Sequence, residues 1–442
     1  MPSTSPGASP SRALLARLGL DRPELVAWAM YDWANSAFLT VVVTAVFPIY
    51  YRSVAAEGLD ATAATGRFGL ATTLALVVAA ILAPPLGVLA DRSGGMLRLL
   101  GRFLWLGVAA TAALALVGEG DWFLALALFV IANIGVTGSF VFYDALLPHV
   151  ARHHELDRVS SAGYAMGYVG GGLALALCLA LILGGPKLGL GGTLPTRISF
   201  VIVAAWWAAF ARPLFRRVTP PAATGAPAPI GTLVRDAFGQ VGRTLGDLRG
   251  YPQAFLMLLA FLVYNDGIQT IIRMATIYGE ELKLDRTLMI GAIVLVQFVG
   301  IPFAFLFGWL AGRIGTKPAI FLGIAGYVVI TFLGFRLQTS RDFLLLAALV
   351  GMVQGGTQAL SRSLFARMIP RHKSGEFFGF FAIFEKFAGI FGPLLFSLAV
   401  YATGSSRSAI LSTLVFFLAG AVLLARVDVS AGESAARRAS IE

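Results

Sequence analysis

The sequence predicts an all-α polytopic membrane protein, with twelve transmembrane helices in two six-helix bundles. Three observations predict it. Of 442 residues, 57% are hydrophobic and only 13% charged, about half the charged share of an ordinary soluble domain. Apolar runs of about 20 residues, the length that crosses a bilayer, recur along the whole chain. The two halves also echo each other, with Gly87-Val-Leu-Ala-Asp91-Arg92-Ser-Gly94-Gly95 in one and Gly308-Trp-Leu-Ala-Gly312-Arg313-Ile-Gly315-Thr316 in the other.

In order, the spans are expected at 25–51, 67–90, 98–118, 122–147, 161–183, 197–215, 252–276, 287–311, 317–336, 342–366, 376–402 and 406–426. Residues 1–24 are rich in Ser, Pro and Arg and lack an apolar core, so they read as a cytoplasmic tail rather than a cleaved signal. The first bundle covers 25–215 and the second 252–427, followed by a cytoplasmic tail at 428–442. The linker, 216–251, opens with the flexible Pro220–Pro229 stretch. Residues 231–248 then repeat Leu233, Val234, Phe238, Val241, Leu245 and Leu248 at amphipathic-helix spacing. Such a helix would lie on the membrane surface. Lys and Arg are more than twice as frequent in one alternate set of loops as in the other, which places both termini in the cytoplasm of a cell-membrane protein. The net charge of +11 is spread over these loops without a basic patch and stacking aromatics, so nucleic acid is not an expected partner. The single cysteine, Cys178, excludes an intrachain disulfide. Nothing demands more than a monomer in lipid.

Polar residues are concentrated in every third span. Asp32, Asn35 and Ser36 share one face of the first span at i, i+3 and i+4. A carboxylate at bilayer depth costs on the order of 2.5–3.5 kcal/mol by insertion scales, so it is expected to face a wet interior. The fourth span carries Asn133, Thr137 and Asp144. The seventh carries Asp266, Gln269, Thr270 and Arg273, and the tenth Gln354, Gln358, Ser361 and Arg362. This order points to a shared central cavity, with at least one of Asp266, Arg273 and Arg362 touching a solute or coupling ion. Interhelical hydrogen bonding is the plainer alternative, and it suits Asn133 and Thr137. Glu385 and Lys386 are adjacent in the eleventh span, pointing about 100° apart. Each is therefore expected to find a partner on another helix: Asp266 or Asp144 for Lys386, Arg362 for Glu385. Kinks are expected at Pro84-Pro85, Pro302 and Gly392-Pro393.

An enzyme or a non-transporting receptor or scaffold is the rival class. The four histidines sit at helix ends, and His153-His154-Glu155 is not a metalloprotease motif. No Walker phosphate loop is present, and neither a metal site nor a cofactor is expected.

Twelve spans, a central loop and the GxxxDRxGG turn resemble the major facilitator superfamily. The stretch Tyr31-Asp32-Trp33-Ala34-Asn35-Ser36-Ala37-Phe38, with Tyr264-Asn265-Asp266-Gly267, is more narrowly similar to the autophagy-related vacuole-effluxer branch and its bacterial relatives. The resemblance runs from about Glu24 to Val427. It implies export of small solutes, with amino acids associated with fungal members. It also implies that Gly87, Asp91 and Arg92 form a gating motif, Asp91 pairing with basic groups or a helix N-terminus across the bundle interface. Arg313 lies in the second copy of that motif, where Gly312 replaces the acid. Together these readings predict a secondary transporter working by alternating access. Asp32 or Asp266 would carry a proton, and Arg273 or Arg362 would hold an anionic group such as a carboxylate. Asn35, Gln269, Gln358, Glu385 and Lys386 complete the expected solute or ion site.

Overall fold

The computed structural model describes residues 15, 16, 18–223, 250–281 and 286–439. The surface-lying helix expected at 231–248 falls outside the described residues. Among the described residues, twelve helices are long and apolar enough to cross a membrane. In the first bundle they are α1 (Pro23–Ala55), α2 (Ala61–Ser93), α3 (Met96–Leu116), α4 (Trp122–Val150), α5 (Leu156–Leu188) and α6 (Leu194–Arg217). In the second they are α7 (Pro252–Glu281), α8 (Arg286–Ile314), α9 (Thr316–Phe335), α10 (Ser340–Arg367), α11 and α12 (Arg407–Ala425). Helix α11 comes in two pieces, α11a (Ser374–Phe387) and α11b (Phe391–Thr403). A short helix, α13 (Val429–Ala439), follows α12. The end of the molecule where α1 starts and α12 stops is called the terminal end below.

Large apolar side chains stand exposed around the perimeter, among them Phe123 (70%), Leu183 (76%) and Tyr401 (93%). A water-facing surface of that kind would aggregate, so this perimeter is a lipid-facing one. Helix ends are capped where the chain turns. Asp60 accepts the amides of Thr62 and Ala63 at the start of α2. Thr339 and Asp342 form a reciprocal capping box on α10. Lys317 donates to the carbonyls of Ala425 and Val427 at the end of α12.

Three local features differ from the sequence expectation. Helix α1 does not stay α-helical: Phe38–Val46, a run dominated by β-branched residues, winds as a π-helix. Crowding of branched side chains disfavours the tighter α-turn, and Thr44 donates to the carbonyl of Leu39 five residues back. Helix α5 begins at Leu156 rather than 161, because the acid in its first turn, Asp157, suits a helix N-terminus. The prolines at 84, 85 and 302 lie within unbroken helices. Only α11 is interrupted, at Ala388–Ile390. Pro393 sits just inside the first turn of α11b, where no amide hydrogen is required.

The two bundles meet most closely where glycines let backbones approach. On α2, a Cβ at Gly87 would collide with the carbonyl of Gly375 on α11a, and one at Gly375 would lie 2.6 Å from the carbonyl of Gly87. Gly379 faces the backbone at Ala83 and Pro84 in the same way. The α11a backbone therefore packs directly against α2 beside Pro84-Pro85.

Candidate functional site

Arg362, near the terminal end of α10, is the centre of a buried network that crosses the bundle interface. It is only 3% exposed. Its guanidinium reaches Asp144 of α4 at 2.8 Å and Asp32 of α1 at 3.6 Å. Its remaining donors meet the hydroxyl and carbonyl oxygens of Ser160 on α5, at 2.9 and 3.0 Å. Ser160 in turn donates to the carbonyl of Ala359 at 2.7 Å. The Tyr143 hydroxyl donates to Asp32 at 2.8 Å. Trp28 stacks on Tyr143 with ring centres 4.5 Å apart and donates to its carbonyl. The rings of Tyr164 and Trp28 lie 4.7 and 4.9 Å from the guanidinium carbon. The planar fork of arginine is thus satisfied on both edges and on its faces, as a fully buried guanidinium must be.

The network holds two carboxylates and one fixed cation. With both acids ionised its net charge is −1, and one added proton makes it neutral. Water is almost excluded, so charge imbalance here is felt strongly.

Two further clusters join the bundles at the terminal end. The carboxylate of Asp91 accepts the amides of Gly375 and Glu376 at 3.0 and 2.8 Å, at the first turn of α11a. Asp157 accepts Thr316 (2.9 Å), Ser363 (2.6 Å) and Arg367 (2.7 Å). His149 and Ser374 add a cross-bundle contact at 2.9 Å. Nearer mid-membrane, Gln297 of α8 donates to Thr40 of α1 at 3.0 Å.

Asp266 and Arg273 lie elsewhere, at the break in α11. One Asp266 oxygen accepts the amides of Gly389 (2.6 Å) and Gly392 (2.9 Å), and Arg273 donates to the carbonyl of Gly389 (3.1 Å). Gln269 borders the same break, since a Cβ at Gly389 would lie 3.0 Å from its Cβ. A cavity of about 260 Å³ opens beside it, walled mostly by the second bundle and on one side by α1. Thr270 of α7, Gln297 of α8, Gln354 of α10, Phe396 of α11b and Thr44 of α1 are among its walls.

The expectation of one shared stripe is therefore corrected. Asp32 and Arg362 belong to the terminal-end network, Asp266 and Arg273 to the α11 break. Asn35 is fully buried one turn beyond Asp32, and Gln358 is half-buried one turn before Arg362. Glu385 and Lys386 pair with each other at 3.7 Å, not with Arg362, Asp144 or Asp266. Their long stems bend round the 100° offset, and partial exposure lessens the need for a buried partner. Arg92 is half-buried at the end of α2. Arg313 is exposed and stacks on Trp309 of its own helix at 4.2 Å. The cross-bundle acid on that side is Asp157, which the sequence reading passed over, with Tyr143, Ser160, Ser363 and Arg367. Asp157 carried one usable signal: an acid five residues ahead of a long apolar run, opposite the motif copy that lacks one.

A profile of the family described as "Vacuole effluxer Atg22 like" matches residues 20–437. An uncharacterized MFS-type transporter of Bacillus subtilis, YxiO, is 38% identical over 407 residues, covering 90% of this chain and 94% of its own. Autophagy-related protein 22 of Pyricularia oryzae is 23% identical, over 93% of this chain and 77% of its own. Among solved structures, the proton:xylose symporter XylE superposes with a TM-score of 0.67 at 14% identity, over 93% of this chain and 95% of that one. The human organic anion transporter MFSD10 superposes with a TM-score of 0.66, also at 14% identity, over 94% and 100%. At that identity the likeness is one of fold.

Proposed function

The chain belongs to the Atg22-like vacuole-effluxer family of the major facilitator superfamily, as a secondary transporter integral to a membrane, and from that premise we propose that it exports a small solute such as an amino acid in exchange for protons. The terminal end is the cytoplasmic one, on the distribution of Lys and Arg, and the membrane is the cell membrane. In the conformation described, the bundles are joined at that end, so the solute path faces outward. Alternating access requires the Arg362 network, the Asp91 contact and the Asp157 contact to part together.

A single observation carries this reading. Arg362 of the second bundle is held inside the first by two carboxylates, Asp144 at 2.8 Å and Asp32 at 3.6 Å. The longer contact makes Asp32 the proton carrier and Asp144 the fixed counter-ion. A proton arriving on Asp32 leaves Arg362 balanced by Asp144 alone. Removing that proton leaves the nearly dry network with a net charge of −1, which favours parting of the cytoplasmic end, where water can reach the acids. The coupling needs no solute at Arg362, which already donates to Asp144 and to both oxygens of Ser160.

The test is efflux of a radiolabelled amino-acid mixture from proteoliposomes under an imposed pH gradient. Wild type is expected to release label faster when the gradient supplies protons from the outside. Asp32→Asn is expected to release label at a rate indifferent to the gradient. Gradient-driven efflux that survives intact in Asp32→Asn would remove Asp32 from the proton path.

A further inference from the structure

The interruption of α11 is gripped from both sides by one helix. Breaking a helix frees amides on one flank and carbonyls on the other, and in a membrane each must find a partner. Here both kinds of group are met by α7. The amides of Gly389 and Gly392 converge on a single oxygen of Asp266, and the carbonyl of Gly389 receives Arg273. Asp266 and Arg273 are seven residues apart, two turns along the same face. Asp266 is 1% exposed. The backbone at the break is shaped for the grip: Gly389 has φ +90°. A Cβ at Gly392 would strike the Thr270 hydroxyl and lie 2.9 Å from Asp266.

The two pieces of α11 have different attachments. The first turn of α11a is bound to Asp91 of the other bundle, whereas the start of α11b is bound to α7 of its own. Phe396 of α11b and Thr270 of α7, on either side of the grip, both wall the 260 Å³ cavity.

We infer that Asp266 and Arg273 are positioning residues that clamp the α11 break, so that α11b keeps its place as a wall of the solute cavity while α11a moves with the cytoplasmic gate. Asp266 is thereby not the proton carrier. The inference rests on the transport reading for its solute, but the clamp itself can be measured without any transport.

Two measurements on the full chain test it. The first is backbone hydrogen exchange over residues 386–394 of the purified protein. Asp266→Ala and Asp266→Asn are expected to exchange faster there than wild type, at least tenfold for Ala, with little change over 374–382. Unchanged exchange over the break in both variants overturns the clamp. The second is the amino-acid efflux assay. Asp266→Asn, which keeps an acceptor oxygen, is expected to raise the apparent KM several-fold while its efflux still follows the pH gradient. Gly389→Ala attacks the same clamp from the other partner, through the strained φ, and is expected to raise KM likewise. Loss of gradient dependence in Asp266→Asn with normal solute exchange overturns the inference in favour of a proton-carrying Asp266. Absence of efflux from wild type counts against the transport reading alone, since the exchange measurement still decides the clamp.

Discussion

At the scale of single residues, the energetics of Arg362 set the sharpest expectation. Removing one partner of a buried ion cluster leaves the others uncompensated, a loss on the order of 3–5 kcal/mol. Arg362→Ala strands both Asp32 and Asp144, so its thermal unfolding midpoint in detergent is expected to fall well below wild type. Asp32→Asn retains the closer Asp144 contact and is expected to fall much less. Arg362→Lys keeps the charge but not the fork, and a lysine cannot serve Asp144 and both Ser160 oxygens together. It is expected to fold near wild-type stability and to transport poorly. Equal midpoints for Arg362→Ala and Arg362→Lys would show that the charge without the fork contributes nothing to the network. Asp32 and Arg362 were legible in the sequence because a charge inside an apolar run is conspicuous, and Asp91 because it stands in the GxxxDRxGG turn. Tyr143 and Ser160 were not, since hydroxyl side chains are common in membrane helices and only distance gives them a role.

At the scale of elements, the α2–α11a contact depends on two glycines facing each other's backbone. Gly375→Val would push the helices apart and carry the Gly375 and Glu376 amides away from Asp91. The terminal end is then expected to open more often. A cysteine placed at Ala359, buried beside Ser160, reports this, because the native Cys178 is buried and contributes little background. Maleimide labelling of Ala359→Cys should quicken several-fold when Gly375→Val is added, and an unchanged rate would show that the glycine contact does not govern closure. Span positions were legible to within a few residues, because runs of about 20 apolar residues leave little choice. The interruption of α11 was legible at Gly392-Pro393, a few residues from where it falls, but the unbroken course of α2 through Pro84-Pro85 was not. Whether a proline kinks a helix depends on what packs against the carbonyls it frees, and that neighbour comes from the other half of the chain.

At the scale of the whole molecule, the closure leans towards acids of the first bundle. Glu433 of α13 meets His153 of the first half at 3.2 Å in the opposite sense, while Asp32, Asp91, Asp144 and Asp157 of the first bundle cross the interface. The second bundle supplies their donors: Arg362, Arg367, Ser363, Thr316 and the first amides of α11a. A two-fold repeat built from equal halves would be expected to share acids between them, as the sequence echo at Gly87 and Gly308 suggests. Gly312 ends that symmetry, and Asp157 restores the missing contact from the opposite side. If the bundles move as rigid bodies, tying them at this point must stop the cycle. In the pair Asp157→Cys with Ser363→Cys, the two positions already sit at hydrogen-bonding distance, 2.6 Å between side-chain oxygens. Oxidation is expected to form a disulfide and abolish transport, and dithiothreitol is expected to restore it to the level of the unoxidised pair. Asp157→Cys alone should be insensitive to oxidant, which separates the tether from the loss of the acid. Undiminished transport through the fully cross-linked protein would mean that solute passes without α5 and α10 separating at the terminal end, and the rocking of one bundle against the other would have to be abandoned.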